Sequence, residues 1–208
     1  MRIVKDTKER KNEILDVAEQ LFLSNGFDNT STNDILKEIH IARGTLYYHF
    51  KSKEDILNAV IERLINQLIK KAKEICNQKD IPALERFIKV IFSLNISDGQ
   101  LGNVILEEVH KPQNALMHQK MQKSVLLGIV PLMTSLIEEM IISKEYFIDY
   151  PQEVVEMALI YYNTMFDDLM ELDEENKKKK FIAFISNLEC LLQIKPGSMY
   201  DLILKLKR

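Results

Sequence analysis

From Glu54 to about Asn77 the chain repeats apolar side chains at Ile56, Leu57, Val60, Ile61, Leu64, Leu68, Ala72 and Ile75. Intervals of three and four residues place them on one face of an α-helix running for about six turns at 3.6 residues each. A strand would scatter the same residues over both of its faces. The segment is therefore a long amphipathic helix, with reach enough to join two bodies. Six Gly and five Pro among 208 residues leave few places for the many tight turns of a β protein, so an all-α fold is expected.

Upstream, Ile14, Val17, Ala18, Leu21 and Phe22 have the same periodicity and predict a helix over Thr7 to Ser24, closed at Gly26 within "NGFDN". Ser31 stands three residues before Asp34, where its hydroxyl satisfies an orphan N–H at the start of a helix over Thr32 to Ile39. "ARGTLYYHF" predicts a second short helix, and Ser52, three residues before Asp55, starts the long one. A longer helix followed by two short ones across a tight turn is a helix-turn-helix unit. Leu46 and Phe50 are expected to pack inward with Ile35, Leu36, Ile39 and Ile41, leaving Arg43, Thr45, Tyr47, Tyr48 and His49 outside. The expected organisation is a three-helix domain over residues 1–53 and a larger helical domain over residues 54–208.

Further helices are predicted from Asp80 and Pro82 to about Asn95, then over Leu101 to Lys111, Asn114 to Met140, Pro151 to Met170 and Glu174 to Ile194. A short one is expected in "MYDLILKLKR". Gly128 and Pro131 predict a kink in the Asn114 to Met140 helix, because an interior proline removes a backbone hydrogen bond. "KKKK" at 177–180 reads as a solvated helical face.

The formal net charge of -3 disfavours general attraction to nucleic acid. Its distribution is more informative. Residues 1–53 carry nine Lys+Arg against eight Asp+Glu, and the remainder 19 against 23. Glu9, Glu13, Asp16 and Glu19 fall early, whereas Arg43, His49, Lys51 and Lys53 cluster with no acid among them. Cys76 and Cys190 have no CxxC spacing and are expected to be small buried apolar residues. The charged N-terminal stretch lacks the apolar run of a signal peptide, and no later segment has about 18 uncharged apolar residues, so a cytoplasmic protein is expected.

A B-DNA major groove admits one α-helix whose side chains reach base edges, while hydroxyls and cations nearby hold phosphates. "ARGTLYYHF" suits that task. Arg43 offers forked donors to guanine, and Thr45 offers a hydroxyl to a base or a methyl to thymine. Tyr47, Tyr48 and His49 offer hydrogen bonds to phosphate, Lys53 adds a cation, and Thr30 or Ser31 at the preceding helix start binds backbone phosphate.

The stretch "GFDNTSTNDILKEIHIARGTLYYHFKSKEDIL" resembles the N-terminal DNA-binding domain of the TetR family of bacterial transcriptional regulators. The family pattern G-[FY]-x-x-T-[ST]-x-x-D-I, a turn, and then GTLYYHFxSKExL covers roughly residues 7 to 57 and is nearly continuous from Gly44 to Glu54. The resemblance implies that Thr45, Tyr47, Tyr48, His49 and Lys53 occupy DNA-contacting positions, with Arg43 the variable reader. One departure stands at the turn, where the family commonly has Ala-Gly and this chain has Ile39-His40. Histidine accepts positive φ more readily than most residues, so the turn is expected to form at modest cost, the alternative being a re-angled turn.

Specific reading by such a unit needs two copies on half-sites about 34 Å apart, hence a homodimer. Val154, Ala158, Tyr161, Met165 and Leu169 offer one apolar face, and Phe181, Ile185, Leu188 and Leu192 another. The resemblance implies that the last two long helices form a four-helix bundle with a partner; a core within one subunit competes for the same residues. Phe87, Ile91, Asn95, His110, Met117, Met121, Tyr162, Asn163 and Phe166 are candidates to line a pocket for a largely apolar small molecule. Glu107 and His110 have the i, i+3 spacing of di-iron bundles, which need two such pairs and further glutamates. Only one pair is present, so no metal and no cofactor is expected.

The expected function is a homodimeric, ligand-responsive regulator, a repressor on a palindromic operator released by a small effector. The alternatives are a constitutive helical DNA-binding protein and a metal-binding bundle enzyme using Glu107 and His110. An enzyme is disfavoured because no nucleophile, base and orienting group recur at meaningful spacing.

Overall fold

The computed structural model describes residues 6–94, 100–143, 147–166 and 173–206. Among them are ten α-helices: α1 (Thr7–Asn25), α2 (Thr32–Ile39), α3 (Arg43–His49), α4 (Lys53–Cys76), α5 (Ala83–Ser93), α6 (Gln100–Val109), α7 (Ala115–Ile142), α8 (Pro151–Phe166), α9 (Glu174–Leu191) and α10 (Ser198–Leu206). A 3₁₀ turn, Pro112–Asn114, joins α6 to α7. No strand is present among the described residues.

The helix boundaries follow local chemistry. Gly26 takes φ 80° behind α1, and its N–H donates to the Phe22 carbonyl at 2.9 Å. Ser31 and Asp34 form a reciprocal capping box on α2, the Asp34 N–H donating to Ser31 Oγ and the Ser31 N–H to Asp34 Oδ2. At the start of α4 the Asp55 N–H donates to Ser52 Oγ at 3.1 Å. Asp173 caps α9 by accepting from the Asn176 N–H at 2.7 Å.

The helices form two compact units, one of residues 1–66 with 96–121 and the other of residues 67–95 with 122–208. The core of the first is Ile14, Leu15, Ala18, Phe22, Phe27, Ile35, Leu46, Phe50, Ile56, Leu57 and Val60, all under one-tenth exposed. Phe22 and Phe27 meet edge to face at 5.2 Å. Arg63 fastens α4 to α1 through Asp16 at 2.6 Å and Glu19 at 2.8 Å, which accounts for two of the early acids. α6 packs on α1 in this unit.

In the second unit α8 packs on α9, and α10 packs on α9 and α5. Glu189, 3% exposed, carries α10: its carboxylate accepts the N–H groups of Gly197 and Met199, each at 2.7 Å. A Cβ on Gly128 would fall 2.2 Å from Ile69 Cδ1 and 2.7 Å from Cγ1, so glycine there lets α4 and α7 approach closely. α7 is a continuous helix through Pro131. By length and composition alone its segment could cross a membrane, but Ile129, Val130, Met133, Leu136, Ile137 and Met140 are buried in the core of this unit.

Two expectations are corrected here. Cys76 is buried, but Cys190 is exposed on the outer side of α9. Of the faces assigned to a partner subunit, Val154, Ala158, Ile185, Leu188 and Leu192 are buried within the single chain, because these stripes of α8 and α9 turn toward their own core. Met165 and Phe181 are half-buried, and Leu169 lies outside the described residues. The apolar side chains left outside are Met157, Ile160 and Tyr161 on α8 with Ile182 and Leu191 on α9.

Candidate nucleic-acid interface

Seven residues are too few for a helix to stand alone in water, so α3 depends on its anchors. Leu46 is 1% and Phe50 3% exposed, each such burial contributing about 1.5–3 kcal/mol. The turn from α2 is made by His40, at φ 54° and ψ 44° in the left-handed region. The Ile39-His40 departure is thus accommodated by the histidine itself.

With that turn formed, α3 presents Arg43, Tyr47 and Tyr48 to solvent, and Thr45 and His49 half-exposed. The Tyr48 ring is 76% exposed. Arg43 lies against the Tyr47 ring, its Cζ 5.5 Å from the centroid. The Tyr47 phenol is held below its ordinary pKa by hydrogen bonds from the Thr32 hydroxyl, first, and the Arg43 guanidinium. The His49 ring meets Tyr48 at 5.0 Å, and burial followed by the charges of Lys11 and Arg10 lowers its pKa. Lys11 also sits over the Phe50 ring at 5.6 Å. Lys11 of α1 thus extends the basic surface of α3, while Arg10 is ion-paired to Glu13 at 2.7 Å; neither stood out in the sequence because acids are interspersed along α1.

Three expected phosphate contacts have other occupations. Thr30 is 1% exposed, and its hydroxyl donates to the carbonyls of Gly26 at 2.8 Å and Leu21 at 3.2 Å, so it closes the α1–α2 loop from within. The exposed Ser31 hydroxyl donates to Asp34 Oδ2 at 2.6 Å as part of the cap. The Lys53 ammonium donates to the carbonyls of Phe27 at 2.8 Å and Asp28 at 3.3 Å and lies 4.2 Å from the Phe27 ring centroid. It fastens the same loop.

The expected effector residues are divided between the units. His110, Met117 and Met121 belong to the first, where the His110 and His118 rings meet at 4.9 Å. Phe87, Ile91, Tyr162 and Asn163 belong to the second; Phe87 and Ile91 are core residues there, and the Tyr162 ring lies 5.9 Å from Phe184. Asn95 and the Phe166 side chain lie outside the described residues. The second unit holds an apolar groove of about 340 Å³ between α7 and α8, lined by Leu126, Leu127, Val130, Pro131, Gln152, Glu156 and Ile160. A smaller one of about 160 Å³ lies between α8 and α9. None of the expected effector residues lines either groove. Glu107 and His110 gather no further ligands: no group of three or more His, Cys, Asp or Glu able to hold a metal ion occurs among the described residues.

Residues 14–60 match the family described as bacterial regulatory proteins, tetR family. An HTH-type transcriptional regulator of Staphylococcus aureus strain USA300 is 44% identical over 71 residues, 34% of this chain and 38% of the relative. The match therefore spans little more than a third of that relative's length. The fold is similar to that of a transcriptional regulator from Cytophaga hutchinsonii, with TM-score 0.67 and 20% identity over 90% of this chain and 98% of the other. It is similar too to a TetR-family transcriptional regulator from Pectobacterium atrosepticum, with TM-score 0.63 and 18% identity over 94% and 100%. Reduced E. coli NemR gives TM-score 0.58 and 17% identity over 86% and 97%.

Proposed function

We propose, on the premise that its N-terminal unit belongs to the bacterial tetR family, that this chain is a cytoplasmic transcriptional regulator that binds double-stranded DNA through α3. The observation that carries the reading is the outer face of α3: Arg43, Tyr47 and Tyr48 exposed together on a helix aimed by the left-handed His40. Arg43 leaves its rest on Tyr47 to reach a guanine, Thr45 meets a neighbouring base, and Tyr47, Tyr48 and His49 take phosphates. Lys53 keeps its loop anchorage and adds charge behind the phosphates. Residues 1–53 serve as the reading domain and residues 54–208 as the regulatory and dimerising one.

Dimerisation uses the exposed Met157, Ile160, Tyr161, Ile182 and Leu191 rather than the buried stripe beside them. The α7–α8 groove, apolar with a Gln152–Glu156 hydrogen bond at its rim, suits a small, largely apolar effector whose binding releases the operator, as a repressor requires.

The test is to select fragments from a random DNA pool with the purified chain and footprint the winners. Two inverted half-sites about 34 Å apart, with Tyr48→Phe and Thr45→Ala each weakening binding several-fold, are expected. Enrichment of no sequence, or parental binding by both variants, would overturn the assignment.

A further inference from the structure

Directly before the cap of α2 lies the loop Gly26–Thr30, on which the placement of the helix-turn-helix depends. Lys53 and Thr30 hold its carbonyls from inside. A third hold comes from far along the chain. Lys111, between α6 and the 3₁₀ turn, donates to Asp28 Oδ2 at 2.6 Å and to Glu108 Oε2 at 2.6 Å. Glu108 is 4% exposed, and its other oxygen accepts from Asn114 Nδ2 at 2.8 Å, while the Asn114 amide also donates to the Glu108 carbonyl at 2.9 Å. Glu108, Lys111 and Asn114 thus form a knot at the α6–α7 connection, and Asp28 is the point where that knot touches the DNA-reading helices. All four residues belong to the first compact unit.

The two ends of the bridge differ in burial. The Glu108 side chain is 6% exposed, Lys111 32% and Asp28 72%. An ion pair with so exposed a partner adds little to stability, because water solvates Asp28 nearly as well when the bridge opens. Its geometry is nonetheless specific, and it fixes a loop whose far end is the α2 cap. A contact inexpensive to break, fixed on one side and tied on the other to the start of a reading helix, is suited to linking two local states rather than to stabilising one. The hydrogen bond from Lys111, and after it the Lys111 charge, lower the Asp28 pKa, in keeping with a closed bridge.

We propose that Lys111 is a positioning residue for DNA binding: through Asp28 it couples the arrangement of the α6–α7 connection to the placement of α2 and α3. The inference rests on the regulator reading above and adds the route by which a change in α6 or α7 reaches the reading helices. By reciprocity, DNA held by α3 must also steady the α6–α7 connection.

The experiment uses the full chain and a DNA fragment it selects itself, so that no effector is needed. Lys111→Met and Asp28→Asn are compared with the parent, the second leaving the Glu108–Lys111 knot intact, and Lys111→Arg serves as the conservative rescue. Both disrupting variants are expected to bind about three- to fivefold more weakly, the most that so exposed a pair can shift, with the salt slope of log affinity unchanged, since no phosphate contact is lost. Bound DNA slows amide hydrogen exchange over residues 106–114 in the parent and in Lys111→Arg but not in the other two. Parental affinity in both variants, a salt slope lower by about one, or a persisting exchange response overturns the proposal. A parent that selects no DNA overturns the regulator reading as well, and so is distinguishable from failure of the coupling alone.

Discussion

Arg86 on α5, 1% exposed, is ion-paired to Glu139 on α7, and the same guanidinium donates to the carbonyls of Cys76 at 2.7 Å and Ile81 at 2.8 Å. One side chain thereby closes the end of α4, the turn after it and the packing of α5 on α7. Arg86→Met leaves two inner carbonyls without their donor and is expected to cost about 3 kcal/mol in urea unfolding. The guanidinium, then Lys79, holds the Glu139 carboxyl below the usual carboxylate range. A depressed folded-state pKa contributes stability above the unfolded value that is lost as pH falls through the folded one. The parent therefore weakens in acid below about pH 4.5 more steeply than Arg86→Met does. Equal urea midpoints for the two proteins would refute the assignment.

His40 supplies a second, local prediction. A left-handed backbone costs an L-residue about 1–2 kcal/mol, partly offset because glycine loses more entropy on folding. His40→Gly is expected to raise stability by about 0.5 kcal/mol and leave DNA affinity near that of the parent. His40→Val, with a β-branched side chain in a region such residues avoid, should lower stability and also weaken binding, because α3 is aimed by this turn. A valine variant with parental stability and affinity would show that the turn tolerates another conformation.

What was legible in the sequence was local. Ser31 with Asp34, Ser52 with Asp55, and Gly26 each announce a helix boundary through bonds closed within a few residues, and the amphipathic stripes gave the helices between them. Two things were not. Thr30 and Lys53 look like phosphate ligands until the chain folds back, because the carbonyls they serve lie four and nine residues upstream for Thr30, across the turn at Gly26, and about 25 upstream for Lys53. On α8 and α9 apolar residues occupy more than one side, so periodicity alone does not say whether Val154 and Ala158 or Met157 and Ile160 turn inward.

That ambiguity yields a prediction about assembly. Met157 is 57% and Ile160 53% exposed in the single chain, so charge there leaves its core untouched. The double variant Met157→Glu/Ile160→Glu is expected to keep parental helicity by circular dichroism and to sediment as a monomer at micromolar concentration. Its affinity for a two-half-site DNA falls more than tenfold, because one unit contacts too few bases and phosphates. Val154→Glu, which places a charge in the buried stripe, is expected to unfold the second unit instead. A double variant that still sediments as a dimer would move the interface elsewhere.

The last prediction concerns protons at the reading surface. His49 titrates below the ordinary histidine value because it is partly buried and because Lys11 and Arg10 stand near it. Near pH 7 the free protein therefore carries it neutral, and for folding the depressed pKa means stability is lost as pH falls below the unfolded value of about 6.5. On the proposed function DNA would reverse the local sign: a phosphate beside the ring would favour the imidazolium, and the complex would hold a proton that the free protein lacks. Affinity should then rise several-fold as pH is lowered from about 8 toward 6 at fixed ionic strength, each unit of difference between the free and bound pKa being worth a factor of ten. His49→Gln keeps a neutral hydrogen-bond donor and removes the titration, so its affinity should stay nearly flat over the same range. Other titrating groups are common to both proteins, and the difference between the two curves isolates this histidine. Identical curves would mean that the ring stays neutral on DNA and that phosphate lies beyond its reach.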